Sequence, residues 1–342
     1  AAAGSAGGAG GLDVSEVFST YLYTGNSTGQ TITNGIDLAG EGGLVWAKSR
    51  SSIRNNILSD TERGTGNVLF SNNTNSNDVD STTITSYNSD GFTMGSSLFK
   101  MNSNGDDFAS WTFRKAPKFF DVVTYTGTGS AQNISHNLGT TVGTIFVKCT
   151  TDTFPWTVFH RSLGATEVIV LNSTGASYTD SAPWNNTAPT DSVFTVGTDS
   201  GTNSSGQTYV AYLFAHNNGD GTFGPTGDQD VIRCGSYTGN GSTNGPEIDL
   251  GFEPQWLLIK NATASDEWPI LDSMRGIVSG GNDSRVWANL SNAENTGDPQ
   301  VQLLPKGFQP ESTSGSVNAS GNTYIYIAIR RGPMAVPTDA TD

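Results

Sequence analysis

The chain has 342 residues and a net charge of −15, with 17 lysines and arginines against 32 acidic residues. A duplex nucleic acid needs a broad basic face to displace its counterions, so DNA and RNA are excluded as main partners, and attraction to anionic membranes is weakened. Charged residues make up only 14 % and glycines number 42, with Ser, Thr and Asn filling much of the rest, a composition that suits short strands joined by many turns.

In chain order, residues 1–11 (AAAGSAGGAGG) are low-complexity and read as a flexible linker, which extends to residue 15. They carry neither the basic nor the apolar region of a secretory signal, and no later run approaches the ~18 apolar residues of a membrane span. The absence of an initial Met fits a piece of something longer. A turn signal then appears as Tyr23-Thr24-Gly25-Asn26 and returns as Tyr125-Thr126-Gly127-Thr128 and Tyr237-Thr238-Gly239-Asn240. Each is followed by an apolar run ending in lysine, at Lys48, Lys148 and Lys260. A run ending in a basic residue and glycine follows, Ile57 to Gly64 and Ile270 to Gly276, which the middle copy varies to Val158-Phe159-His160-Arg161-Ser162-Leu163-Gly164. Each copy closes with a turn around Phe92, Phe194 or Phe308. An Asn-x-x-Gly turn beginning at Asn102, Asn203 or Asn318 then leads into an alternating strand.

Landmarks in the same order three times mean one fold used three times. The runs are short, aromatic and β-branched, and none holds a helical apolar face over three turns. The expectation is an all-β chain of three tandem β-sandwich modules of jelly-roll or lectin-like type, at 16–117, 118–218 and 219–333, with a connector at 334–342. Each module is long enough to bury its own core, giving beads on a string. The closing strands, apolar on both faces, should be central and doubly covered, and the glycine-rich stretch 217–230 should be a looser junction than the one at Pro117.

The pieces YLYTGNSTGQTITNGIDLAGEGGLVWAKSR, WTFRKAPKFFDVVTYTGTG, QTYVAYLFAHNNGDGTFGPTGDQDVIRCGSYTGNG and NTYIYIAIRRGPMAVP resemble a repeat of tail-fibre and other virion proteins of marine bacteriophages. The resemblance runs from about Glu16 to Pro337. It implies a virion surface location, a concanavalin-A-like or jelly-roll sandwich and homotrimeric assembly. It carries no site residues across.

The residues themselves point away from catalysis. His136, His160 and His216 lie in no motif that sets a nucleophile beside a base. Carboxylates such as Asp60 with Glu62, or Asp266 with Glu267, have no spacing that separates a glycosidase pair from solvated loops. Asp220, Asp228 and Asp230 offer oxygen ligands of the kind calcium takes, without the EF-hand spacing; no cofactor is expected, and no zinc, for want of clustered Cys and His. Cys149 and Cys234 are expected as separate thiols. For carbohydrate, which stacks on aromatic rings, Trp184 after Pro183 in a polar stretch, Asn185 and Trp287 are the candidates, while Trp46, Trp111 and Trp256 lie in apolar runs and are assigned to the core.

The expected function is that of a non-enzymatic bacteriophage virion protein, a tail fibre or appendage contributing to host-surface attachment. Its partners would be other virion proteins and a host glycan or receptor. The alternatives are a purely structural head-fibre, decoration or tail-assembly protein, a bacterial extracellular adhesin or filament subunit, and a depolymerase. A thin string of sandwiches would bend, so neighbours should stiffen it as a trimer; otherwise the three copies pack within one chain as a pseudo-trimer.

Overall fold

The computed structural model describes residues 10–97 and 100–332, and over them the chain is all-β. Among the described residues, α-helix is confined to two four-residue turns, Val14–Val17 and Ser200–Asn203, and no helix is long and apolar enough to cross a membrane. Most of the N-terminal linker and the connector 334–342 lie outside the described residues.

Each third of the chain builds one large and one small antiparallel sheet. The first large sheet runs, in spatial order, Phe18–Thr24, Asp107–Arg114, Gly43–Ser49, Ile57–Asp60, Asn67–Phe70, Asp78–Val79. The second repeats that order with Phe120–Thr126, Thr208–Ala215, Val142–Cys149, Thr157–His160, Glu167–Val170 and Tyr178–Thr179. The third does so with Ile232–Thr238, Thr323–Arg330, Pro254–Asn261, Pro269–Asp272 and Arg285–Trp287. In every case the closing strand pairs on both sides with its neighbours and is buried on both faces, as its double apolar alternation requires.

Alternation assigns the two faces different tasks. In unit one, Val45, Ala47, Ile57 and Phe108 face the small sheet Gln30–Thr33, Gly91–Met94, Ile84–Asn88 and pack on Ile32, Phe92 and Met94. The residues between them, Leu44, Trp46, Leu58, Trp111 and Phe113, point the other way, into a core shared by all three units. Unit three does the same, with Tyr324, Tyr326 and Ala328 on its own small sheet and Ile325, Ile327 and Ile329 in the shared core. At the centre the Phe113 ring lies 5.5 Å from that of Phe214 in unit two and 5.7 Å from that of Trp256 in unit three.

The three units therefore form a closed ring about a pseudo-threefold axis. Trp156 of unit two donates Nε1–H to the Phe70 carbonyl of unit one at 2.9 Å, and Trp268 of unit three donates to the Val170 carbonyl of unit two at 3.2 Å. At the equivalent place in unit one, Asn56 Nδ2 donates to the Trp287 carbonyl of unit three at 3.0 Å. Backbone bonds run the opposite way around: Asn77 N–H to the Thr150 carbonyl, Ser177 N–H to that of Ala262, and Glu294 N–H to that of Arg50. Head-to-tail contacts of one kind, repeated until they meet, make a ring.

This corrects two expectations. Beads on a string would leave the outer face of each large sheet polar, whereas these faces carry tryptophan and phenylalanine and are buried by the neighbouring units. The argument that a flexible string needs partner chains to stiffen it does not apply to a closed ring. Residues 10–15 also belong to the folded body rather than to a linker. Gly11 N–H donates to the Gly224 carbonyl, Gly224 N–H donates to that of Leu12, and Val14 is buried in the shared core. The glycine-rich junction is tied down by the same contacts and by the Asp230 carboxylate, which accepts from Gly219 N–H and Gly221 N–H.

Candidate functional site

Two sets of functional groups are repeated around the ring. The first lies at the end where the large-sheet strands finish in the Tyr-Thr-Gly and Asn-x-x-Gly turns. These two landmarks pair with each other. Gly25 accepts from Gly105 N–H, Gly127 from Gly206 N–H and Gly239 from Gly321 N–H. The approach is so close that a Cβ on Gly127 would fall 2.2 Å from the Ser204 carbonyl oxygen, which is why glycine stands there. A wholly buried asparagine staples each pair. Asn102 Nδ2 donates to the Thr28 and Gly95 carbonyls while its Oδ1 accepts from Asn26 N–H. Asn203 and Asn318 make the corresponding bonds to Ser130 and Gly197, and to Ser242. The result is three polar, nearly uncharged turn pairs held at fixed positions on one rigid body. The described ends of the chain lie together elsewhere, Gly332 packing against Val14 and Ser15.

The second set lies at the seams between units. In the three–one seam, Arg275 and Asp272 form a fully buried ion pair at 2.6 Å, and the Trp111 indole of unit one donates to the same carboxylate at 3.0 Å. Glu294 extends this network to Arg275 and to Arg50. In the one–two seam, Asp60 and Arg63 pair at 2.6 Å, and the Tyr212 hydroxyl of unit two donates to Asp60 at 2.7 Å. The Asp60 and Asp272 positions are filled in unit two by His160 and the arginine positions by Leu163, so the two–three seam has no such pair. There His160 Nε2 donates to the Tyr326 carbonyl of unit three at 3.2 Å. Full burial pushes the imidazole down to about 4. Three buried lysines sit near the opposite ends of the seams. Lys48 donates to the Ser291 carbonyl across the three–one seam, and Lys260 to that of Thr174 across two–three. Lys148 stays within its own unit, on the Cys149 and Asp152 carbonyls. Desolvation lowers all three, Lys48 to about 7 and the others to about 8.

The residues singled out for carbohydrate do not come together. Trp184 is 1 % exposed, its ring edge-on to Phe159 at 5.8 Å, and offers no face to a sugar. It turns inward because the small sheet of unit two has only two strands, Gln132–Ser135 and Val193–Val196. The segment around Pro183, whose carbonyl accepts from Gly197 N–H, covers the gap and drops the indole into it. Asn185 is exposed in a left-handed turn at φ 51°. Trp287 is half-buried in unit three, with the Arg285 guanidinium 5.5 Å above its ring.

The acidic candidates are occupied by protein groups. Asp60 is in its ion pair, Glu62 bonds Lys115, and Glu267 accepts from Asn289. Asp220 accepts from the Thr140 hydroxyl, and Asp228 accepts from that of Thr226. Among the described residues no three His, Cys, Asp or Glu side chains gather closely enough to hold a metal. Cys149 and Cys234 are both buried free thiols, as expected of two cysteines in so long a chain. The Asp–Arg pairs are what sequence reasoning missed. Their signal was present, an aspartate three residues before the arginine in copies one and three and a histidine in copy two.

Residues 13–333 match the family described as domain of unknown function DUF7483, and the chain belongs to that family. A search of curated proteins found no match.

Proposed function

We propose that this chain is a non-enzymatic structural module of a bacteriophage virion appendage, and that it meets the host surface through the three turn pairs at one end of its ring. The observation that carries the reading is the threefold repetition of a rigid, polar, glycine- and asparagine-built turn pair on one body. Three weak contacts made at once from a preorganised frame gain avidity without any one of them being strong. Uncharged amide and hydroxyl groups suit the hydroxyls of a glycan better than an anionic or apolar partner. The resemblance of the repeat landmarks to marine phage fibre proteins supports the virion setting. With Trp184 in the core, the sugar contacts pass to these turns and to Trp287.

Labelling virions that carry this gene with antibody and gold tests the location. Gold on a tail appendage supports the proposal, gold on capsid vertices supports a head-fibre or decoration role instead, and particles without label overturn both. Purified chain should bind host cells in a manner competed by their surface polysaccharide. Release of reducing ends from that polysaccharide would make the protein a depolymerase and sink the non-enzymatic reading.

A further inference from the structure

We propose that the seam between units two and three is an acid-triggered gate in the ring, opening when His160 and His216 take up protons while the other two seams stay closed. The geometry singles out this seam. His160 uses Nδ1 to accept from Ser162 N–H at 3.2 Å, so its proton sits on Nε2 and is given across the seam to the Tyr326 carbonyl. His216 uses its own Nδ1 to accept from Cys234 N–H of unit three, also at 3.2 Å. A second proton on either ring would set a donor against a donor, and for His216 that clash falls on a bond that holds the seam.

The surroundings give an imidazolium little relief. Arg161 and His216 act on His160, while Arg161 and Arg233 act on His216, all of the same sign once protonated. Cys234 and Tyr326 also line the seam, with Asp249 near Tyr326. The carboxylates nearby are committed: Asp220 faces His216 but accepts from Thr140, and Asp230 pairs with Arg233. Beside His160 is a cavity of about 10 Å³, lined also by Thr144, Leu258 and Trp268, at the lower limit for one water. The buried Thr144 hydroxyl makes no well-formed hydrogen bond and has the Cys234 thiol beside it. The point where charge would appear thus has room for no more than one water to solvate it.

Cys234 reports on this seam without being altered. It is fully buried, its Sγ 3.4 Å from the Ala215 carbonyl of unit two, and a Cβ on Gly143 would fall 2.4 Å from it. Cys149, buried inside unit two, is the internal reference. The intact chain would be exposed to dithiodipyridine, which reacts with thiols in acid as well as at neutral pH, and the two labelled peptides quantified by mass spectrometry. An ordinary imidazole near 6.5 in the open state against about 4 in the closed one raises seam opening by about thirtyfold at pH 5 through His160 alone. Because protonation of His216 adds to this, the Cys234:Cys149 labelling ratio should rise by at least that factor between pH 7.5 and pH 5. In His160→Gln, which keeps a donor for the Tyr326 carbonyl, the rise should shrink at least fivefold. A ratio that stays constant in the unaltered protein, or that rises equally in His160→Gln, overturns the proposal. Should His160→Gln not fold, His216→Asn, which keeps an acceptor for Cys234 N–H, is read in the same way.

Discussion

The three–one and two–three seams occupy equivalent places in the ring, yet they are built from different chemistry. Between units two and three the peptide chain itself holds the parts together, and among the described residues no ion pair crosses. The polar side chains that do cross include two histidines, a tryptophan with two bonds and a lysine, beside main-chain bonds such as Ser177 N–H to the Ala262 carbonyl. No peptide link joins units three and one directly, and there the seam carries Asp272, Arg275, Glu294 and Arg50 in one network, with Ser71 and Asn56 reaching across to main-chain carbonyls. Covalent tethering keeps the effective concentration of a neighbour high, so a tethered seam needs less. A buried Asp–Arg pair also stands in the tethered one–two seam, but only the seam that must find its partner through space extends it with Glu294 and Arg50, directional charge that fixes register even where it adds little net stability.

Breaking the untethered seam should have the largest effect. Asp272→Ala leaves the buried Arg275 with only its longer contact to Glu294 and the Trp111 indole without an acceptor, and should cost about 3 kcal/mol in urea unfolding. Acid should act next, on the other seam. The folded His160 sits below its ordinary value, so its contribution is fully present above about pH 6.5 and is lost as pH falls toward 4. That loss is worth about 3 kcal/mol and is read as a falling urea midpoint between those values. Asn318→Ala should cost about 2 kcal/mol by stranding the Asn240 N–H and the Ser242 carbonyl, while Asn185→Ala, at a left-handed but exposed position, should cost about 1 kcal/mol. Transplanting the pair as His160→Asp with Leu163→Arg sharpens the comparison. It should destabilise the protein by about 2 kcal/mol, because Ile327 offers no donor where Tyr212 and Trp111 do. Adding Ile327→Tyr should recover about half of that, and a failure to recover would mean the seams are not equivalent.

What could be read from the chain alone was what local chemistry dictates. The Tyr-Thr-Gly and Asn-x-x-Gly landmarks recur because glycine and a buried asparagine are needed at each turn pair, so the repeat and the all-β class were legible. The doubly apolar closing strands announced their central position. The identity of the second cover was not legible, because an apolar face on Ile325, Ile327 and Ile329 reads the same whether it meets another chain or another part of its own. Trp184 misled for a related reason. Its neighbours are polar, and the vacancy it fills arises from a missing strand elsewhere in unit two, which no pattern within residues 181–187 records.

The shared core also sets an order in time. A nascent chain that has completed units one and two presents Leu44, Trp46, Trp111 and Phe113 on a sheet face that its own small sheet cannot reach. Until Trp256, Ile325 and Ile329 arrive, that face is open to any other chain being made nearby, and a third unit from a neighbour fits it as well as the chain's own. Where many copies are made together, the speed at which the last hundred or so residues are delivered therefore decides between closed rings and chains that have exchanged their final units.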